Sequence, residues 1–295
     1  MPFQGFQSIQ LSASLTSYSL AEQLYEGSTH FLLELIQNAD DNLYDVPTPT
    51  LNLIYENDGL RLDCNENGFT AKNVEALCAI GRSTKAGLND STRYISEKGI
   101  GFKSVFKAAD VIWISSGDYA FKFDKREPLG MITPIWTQFP KDTIPGCTSF
   151  YIQFSAGYNR QELIHDIRSL DPRMLISLRR LRKLNLKVIQ DGKTWETKFS
   201  RTDTVTNERL VVVLSQDDTY LQYLVRKHAV DGLPREEKRP ECSRSEILLA
   251  FPLTDPTQPP KLSSQNVYAF LPIRDYGFMV SNPFCNRGAL ILTLI

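Results

Sequence analysis

Glu34, Asn38 and Asp41 stand at i, i+4 and i+7 in the run Glu34-Leu-Ile-Gln-Asn38-Ala-Asp-Asp41-Asn42. A helix turns about 100° per residue, so the three share one face. A carboxylate, a carboxamide and a second carboxylate then line up with no Lys or Arg among them. The carboxamide oxygen of Asn38 is a neutral hard ligand suited to Mg²⁺, which keeps several waters and takes phosphate oxygens of a substrate. Glu34, one turn earlier, can orient and deprotonate an attacking water. Taken alone, such a face is more often only solvated.

Two further segments change that weighting. Asn65-Glu66-Asn67-Gly68-Phe69 follows an expected strand and precedes an expected helix. Gly68 can make a tight turn where backbone approaches a ligand, and the Asn65 carboxamide can both accept and donate. In Ser96-Glu97-Lys98-Gly99-Ile100-Gly101-Phe102-Lys103-Ser104, two glycines at i and i+2 open a helix. Free N–H groups at a helix start attract phosphate, and Lys98 and Lys103 add positive charge. The segment is neither a P-loop nor a dinucleotide fingerprint, because G-x-x-x-x-G-K-[ST] and a strand leading into G-x-G-x-x-G are both absent.

The elements that must position these groups are read from periodicity and turn signals. Residues 20–44 have helical spacing, interrupted near Gly27, with Leu32, Leu35, Ile36, Ala39 and Leu43 on the face opposite Glu34. Leu51–Tyr55 and Gly59–Cys64 read as strands about an Asp-Gly turn. Thr70 caps a helix running to Ile80. Residues 81–98 read as a polar loop and Gly101–Ala109 as a helix. Val111–Ser115, Ala120–Asp124 and Ser149–Ser155 read as strands. Beyond residue 160 the pattern changes to a helix over Asp166–Leu184, carrying the basic cluster Arg179–Lys183. Strands follow at 184–190, 194–199, 210–214, 247–251 and 267–271. A domain of residues 1–160 and an incomplete α+β domain of 161–295 are expected.

Composition narrows the classes. The chain has 295 residues, 33 Lys+Arg against 34 Asp+Glu, 42% hydrophobic and 23% charged residues. That is ordinary globular usage, and near-zero net charge is not that of a dedicated nucleic-acid binder. The start MPFQGFQSIQLSASL is no secretory signal, and no apolar run is long enough to span a bilayer. Five scattered cysteines without C-x-x-C fit reduced thiols inside a cell, in cytoplasm or nucleus.

The acidic–amide helix, the Asn/Gly turn, the polar loop and the Gly-rich helix start occur in an order that resembles the GHKL ATPases: gyrase, heat-shock chaperones, histidine kinases and MutL. HFLLELIQNADDNLY, NENGFTAKNVEALCAIGRSTKAG and YISEKGIGFKSVFKAADV are closely similar to the ATPase module of the plant NO VEIN family and its fungal relatives, with sacsin repeats more distant. The similarity covers roughly residues 18–155 and is specific, because three separated motifs match in order. Tyr268–Phe278 also resembles a segment of that family.

The resemblance implies a Bergerat-type two-layer α/β sandwich, a mixed sheet covered by helices, with ATP and Mg²⁺ as its ligands. Glu34 would be the general base and Asn38 the Mg²⁺ ligand. Asp41 and Asn42 would support the ribose and adenine side. Asn65, or Cys64 in a register shifted by one, would stand where most relatives read adenine with Asp. Gly68 and Phe69 would complete that turn. Ser83, Thr84 and Lys85 would open the lid. Gly99, Ile100, Gly101 and Phe102 would wrap the phosphates beside Lys98 or Lys103. Thr148, in Gly146-Cys147-Thr148, would reach the adenine-side water network. The implied function is Mg-ATP binding with slow hydrolysis coupled to lid closure, chaperone-like or clamp-like, with protein clients or self-association through the nucleotide domain. In related clamps a cation from the following domain completes the site, and Arg274 and Arg287 are candidates. The alternative is a non-catalytic, nucleotide-responsive scaffold. A histidine kinase ranks lower, because His30, His165 and His228 lie in no phosphoacceptor helix.

Overall fold

A computed structural model describes residues 30–56, 59–78, 101–206, 209–231, 244–253, 266–269, 271–275 and 290–294. The chain divides into two units, residues 1–169 with 184–197, and residues 170–183 with 198–295.

In the first unit, α1 (His30–Asp41) precedes the hairpin β1 (Thr50–Glu56) and β2 (Gly59–Cys64). Then come α2 (Ala71–Cys78), a 3-10 turn (Gly101–Lys107), β3 (Ala109–Ser116), β4 (Tyr119–Asp124), β5 (Ile135–Trp136), β6 (Thr148–Phe154), α3 (Arg160–Ser169) and β7 (Lys183–Gln190). The strand order is β7-β1-β2-β6-β3-β4-β5. The pairs β1–β2, β2–β6, β6–β3, β3–β4 and β4–β5 all run antiparallel. Alternation places Leu51, Leu53 and Tyr55 of β1 inside with Leu60 and Leu62 of β2, and Ile112, Ile114, Phe121, Phe123 and Ile152 continue that core. Phe31, Leu32, Leu35, Ile36 and Ala39 of α1 are buried. Burying each of the larger ones contributes about 1.5–3 kcal/mol. Helix α2 starts as its sequence promises: Asn73 N–H donates to Thr70 Oγ1 at 3.4 Å, while Asn73 Oδ1 accepts from the Thr70 amide at 2.8 Å. This reciprocal pair is a capping box with Asn in the acceptor's role.

The second unit contains α4 (Met174–Ser177) and long strands: β8 (Lys193–Thr206), of which residues from 198 belong here, β9 (Arg209–Gln216), β10 (Thr219–Asp231) and β11 (Arg244–Pro252). β12 (Asn266–Ala269), β13 (Leu271–Asp275) and β14 (Leu290–Leu294) complete the order β13-β12-β14-β11-β10-β9-β8, with β12 and β14 parallel. Arg201, 8% exposed, donates to the carbonyls of Leu175, Ile176 and Leu178 and pairs with Asp203 at 2.7 Å. A buried guanidinium thus satisfies carbonyls that a four-residue helix leaves open.

These findings correct the expected fold. The described residues do not form a helix-covered two-layer α/β sandwich followed by a small α+β domain. Among the described residues fourteen strands stand against four α-helices, and sheet dominates. Two local corrections explain part of the difference. The helix expected over 166–184 is broken where Pro172 lacks an N–H and restricts Asp171; only α3 and the one-turn α4 form, and Leu178 is extended at ψ 142°. The segment 101–107 is a 3-10 turn, not an α-helix.

Candidate functional site

Helix α1 ends at Asp41, and the chain is tied down at once. The Tyr44 hydroxyl donates to the Ala39 carbonyl at 2.5 Å and lies 2.9 Å from Cys64 Sγ. A phenol has one hydrogen and a carbonyl only accepts, so the Cys64 thiol is the donor in the second contact. Burial pushes the Cys64 thiol up to about 12, and burial likewise raises the Tyr44 phenol. Both groups are neutral, as the hydrogen-bond assignment requires.

The turn 65–69 is laced to the same segment. Asn65 Oδ1 accepts from the Thr50 amide at 2.6 Å, and its Nδ2 donates to the Thr48 carbonyl at 3.1 Å. Asn67 Oδ1 accepts from the Asp45 amide at 2.8 Å, and its own N–H donates to the Leu43 carbonyl. Gly68 takes φ +85°, a left-handed conformation that only glycine adopts at low cost. The Phe69 amide donates to Ser116 Oγ at 2.8 Å, and Ser116 Oγ lies 2.6 Å from Thr148 Oγ1. Register places Cys64 opposite Thr148. The closing end of β2, the opening of β6 and the last residue of β3 therefore meet beneath the turn.

The expected site residues fall into three groups. Several are brought together. Phe69 and Phe102, from separate motifs, both pack on Phe150, with ring centroids 6.2 and 6.0 Å apart. Helix α1 packs against the 3-10 turn. Thr148 reaches Phe69 through Ser116, and Ala39, next to Asn38, reaches Cys64 through Tyr44. Others are more enclosed than a wet face would be: Glu34 is 7% and Asp41 1% exposed, and each makes an interaction inside the fold. Asn38 is half-buried, and its carboxamide has no partner among the described residues, while Asn42 is half-buried with its amide on the Ala39 carbonyl. Lys103 points inward, with its ammonium on two carbonyls. Ser83, Thr84, Lys85, Lys98, Gly99 and Ile100 lie outside the described residues, as does Arg287; Gly101 is described only as the first residue of the 3-10 turn.

Asp63 and Glu66, beside the turn, are buried carboxylates to which the motifs assign no role. Asp63, 0% exposed, accepts from Ser149 Oγ at 2.6 Å and from Arg61 Nε at 2.8 and 3.0 Å. Glu66 is 8% exposed in the turn itself. An acidic residue directly before Asn-Gly was the available signal for Glu66. Leu43, expected on the packed face, lies beyond the helix and is 56% exposed.

Among the described residues no cluster of three His, Cys, Asp or Glu side chains is placed to hold a metal. A hydrated Mg²⁺ needs no such cage, because it usually takes one or two protein oxygens plus phosphates and water. The half-buried carboxamide of Asn38, unengaged among the described residues, fits that demand. No described helix is long and apolar enough to cross a membrane.

No family model matches the chain. The chain is 32% identical over 300 residues to Protein NO VEIN of Arabidopsis thaliana, an alignment that takes in 93% of this chain. It spans about a tenth (10%) of the length of that relative.

Proposed function

We propose that the chain is a GHKL-type Mg-ATP-binding module of the NO VEIN and sacsin-like kind, with slow ATP hydrolysis. One observation carries this reading: residues from α1, the 65–69 turn, the 3-10 turn and the start of β6 are linked contact by contact around one end of the sheet. Asn38 would hold Mg²⁺, and half-buried Phe69, backed by the buried Phe102 and Thr148, would line the nucleotide side. When bound, the cation neutralises phosphate charge. Glu34 would accept a proton from water, and its 7% exposure keeps bulk solvent from competing.

That same enclosure favours a second reading. Glu34 is already engaged inside the fold, which suits a nucleotide-responsive scaffold without turnover. The test is a titration of the protein with ATP and with GTP, each with and without Mg²⁺, alongside steady-state phosphate release. Mg-dependent ATP binding by wild type and Glu34→Ala alike, with release lost in Glu34→Ala, is the expected result. Binding without release in wild type selects the scaffold. No binding of either nucleotide refutes both.

A further inference from the structure

Lys103 is 6% exposed, although lysine seeks water. Its Nζ donates to the Leu77 carbonyl at 2.6 Å and to the Met131 carbonyl, and lies 4.6 Å from the Phe123 ring centroid and 5.6 Å from that of Phe102. Leu77 is the penultimate residue of α2, where carbonyls lack helical partners and positive charge is favoured. The nitrogen therefore fastens three segments far apart in sequence: the end of α2, the turn before β5 and the 3-10 turn. No carboxylate pairs with it among the described residues, and a buried ammonium is costly. Burial lowers the Lys103 ammonium to about 7. The groups facing it are Cys78 on α2, the Phe123 ring on β4, the Met131 carbonyl and the Phe102 ring. The Cys78 thiol is itself raised by burial and stays neutral. Lys103 is thus the group in this cluster that changes charge near neutral pH.

Phe102 is the adjacent residue, and it is the member of the candidate site that packs on both Phe123 and Phe150. We propose that Lys103 is a positioning residue: its bonds to Leu77 and Met131 hold the 3-10 turn so that Phe102 stays seated on Phe150, opposite Phe69, for the nucleotide. This inference rests on the Mg-ATP reading and deepens it.

The experiment compares the full chain as wild type, Lys103→Met and Lys103→Gln, with Mg-ATP and Mg-ADP affinity measured at about pH 6 and about pH 8.5, on either side of the Lys103 titration. Thermal melting reports the folded fraction. Lys103→Met is expected to lose about tenfold in affinity at the lower pH, a loss that shrinks at the higher pH where wild type has also lost the charge. Lys103→Gln, with two N–H donors, is expected to recover part of it. Equal affinity in all three proteins overturns the inference and leaves the Mg-ATP reading standing. A loss that is the same at both pH values assigns Lys103 to packing and also overturns it. Wild type that binds no nucleotide overturns both. Should neither variant fold, the Mg-ADP affinity of wild type decides. Its terminal phosphate loses its last proton at about pH 6, which by itself raises affinity with pH, so a fall on passing pH 7 upholds the role and a flat or rising profile refutes it.

Discussion

Replacing Ser116 by Ala tests the link that joins the 65–69 turn to the sheet. Ser116 is 0% and Thr148 1% exposed, so neither hydroxyl has water as a substitute partner. Ser116 Oγ serves two groups, the Phe69 amide at 2.8 Å and Thr148 Oγ1 at 2.6 Å. A neutral hydrogen bond contributes about 1 kcal/mol net, and a buried group left unpaired costs about 1–3 kcal/mol. Phe69 is half-buried, so water can repair its amide in part. The expected loss is therefore about 2–3 kcal/mol, most of it at Thr148. Because the chain has two units, a single denaturation midpoint mixes them, and amide exchange at Phe69 is the local readout. It should quicken by roughly thirtyfold for 2 kcal/mol. Thr148→Val removes the other end of the same bond, so the double variant should be less destabilised than the sum of the two, by about 1 kcal/mol. Unchanged exchange at Phe69 together with strict additivity would refute the link.

Two other outcomes follow from the same corner of the fold. Gly68→Ala places a methyl 3.5 Å from Ser116 Oγ, an ordinary contact, so its cost comes from φ +85° and is about 1–2 kcal/mol, read as faster amide exchange at Phe69. The Cys64 thiol, raised to about 12, should resist a thiol reagent at mildly alkaline pH while half-exposed Cys147 reacts. Tyr44→Phe should speed Cys64 labelling about tenfold through easier opening. The sign of the pH effect is fixed by the raised thiol: the folded chain keeps a proton that the unfolded one releases, so this contribution to stability is lost as pH rises from 9 towards 12.

Strand-like runs about an Asp-Gly made the β1–β2 hairpin legible: the strands run Thr50–Glu56 and Gly59–Cys64, and the structure turns Leu51, Leu53 and Tyr55 inward. The cap at Thr70 was legible for a similar reason, since its partners lie within three residues. Long-range features were not. The buried apolar face of β10 is short, Tyr223 and Val225 between exposed Leu221 and Lys227, and pairing with β9 and β11 extends the strand well beyond it. The leucines at 175, 178, 181 and 184 are all buried, yet only the first lies in a helix. Spacing by three marked burial correctly there and secondary structure wrongly. In the candidate site, residue types were legible and their commitments were not. Nothing local tells that Asn65 faces the backbone of 48–50, because those partners are set by the fold of the preceding loop.

A polar atom bonded to the chain on every side transmits position; it does not meet a ligand without first breaking a bond. Asn65 uses both ends of its carboxamide on Thr48 and Thr50, Thr148 is matched with Ser116, and Lys103 is held by two carbonyls. Their collective product is a fixed geometry for Phe69 and Phe102 on Phe150. Asn38 is half-buried and unengaged among the described residues, on a helix whose acidic members, Glu34, Asp40 and Asp41, are enclosed and engaged. On the proposed Mg-ATP reading, a ligand arriving at this end of the sheet would find the half-buried Phe69 ring already in place and, among the described residues, the carboxamides of Asn38 and Asn42 unengaged, which would orient a base by contact and a hydrated cation through the Asn38 oxygen. Selectivity among bases would then come from packing shape more than from the Asn65 carboxamide, and this is why ATP and GTP belong in the same titration.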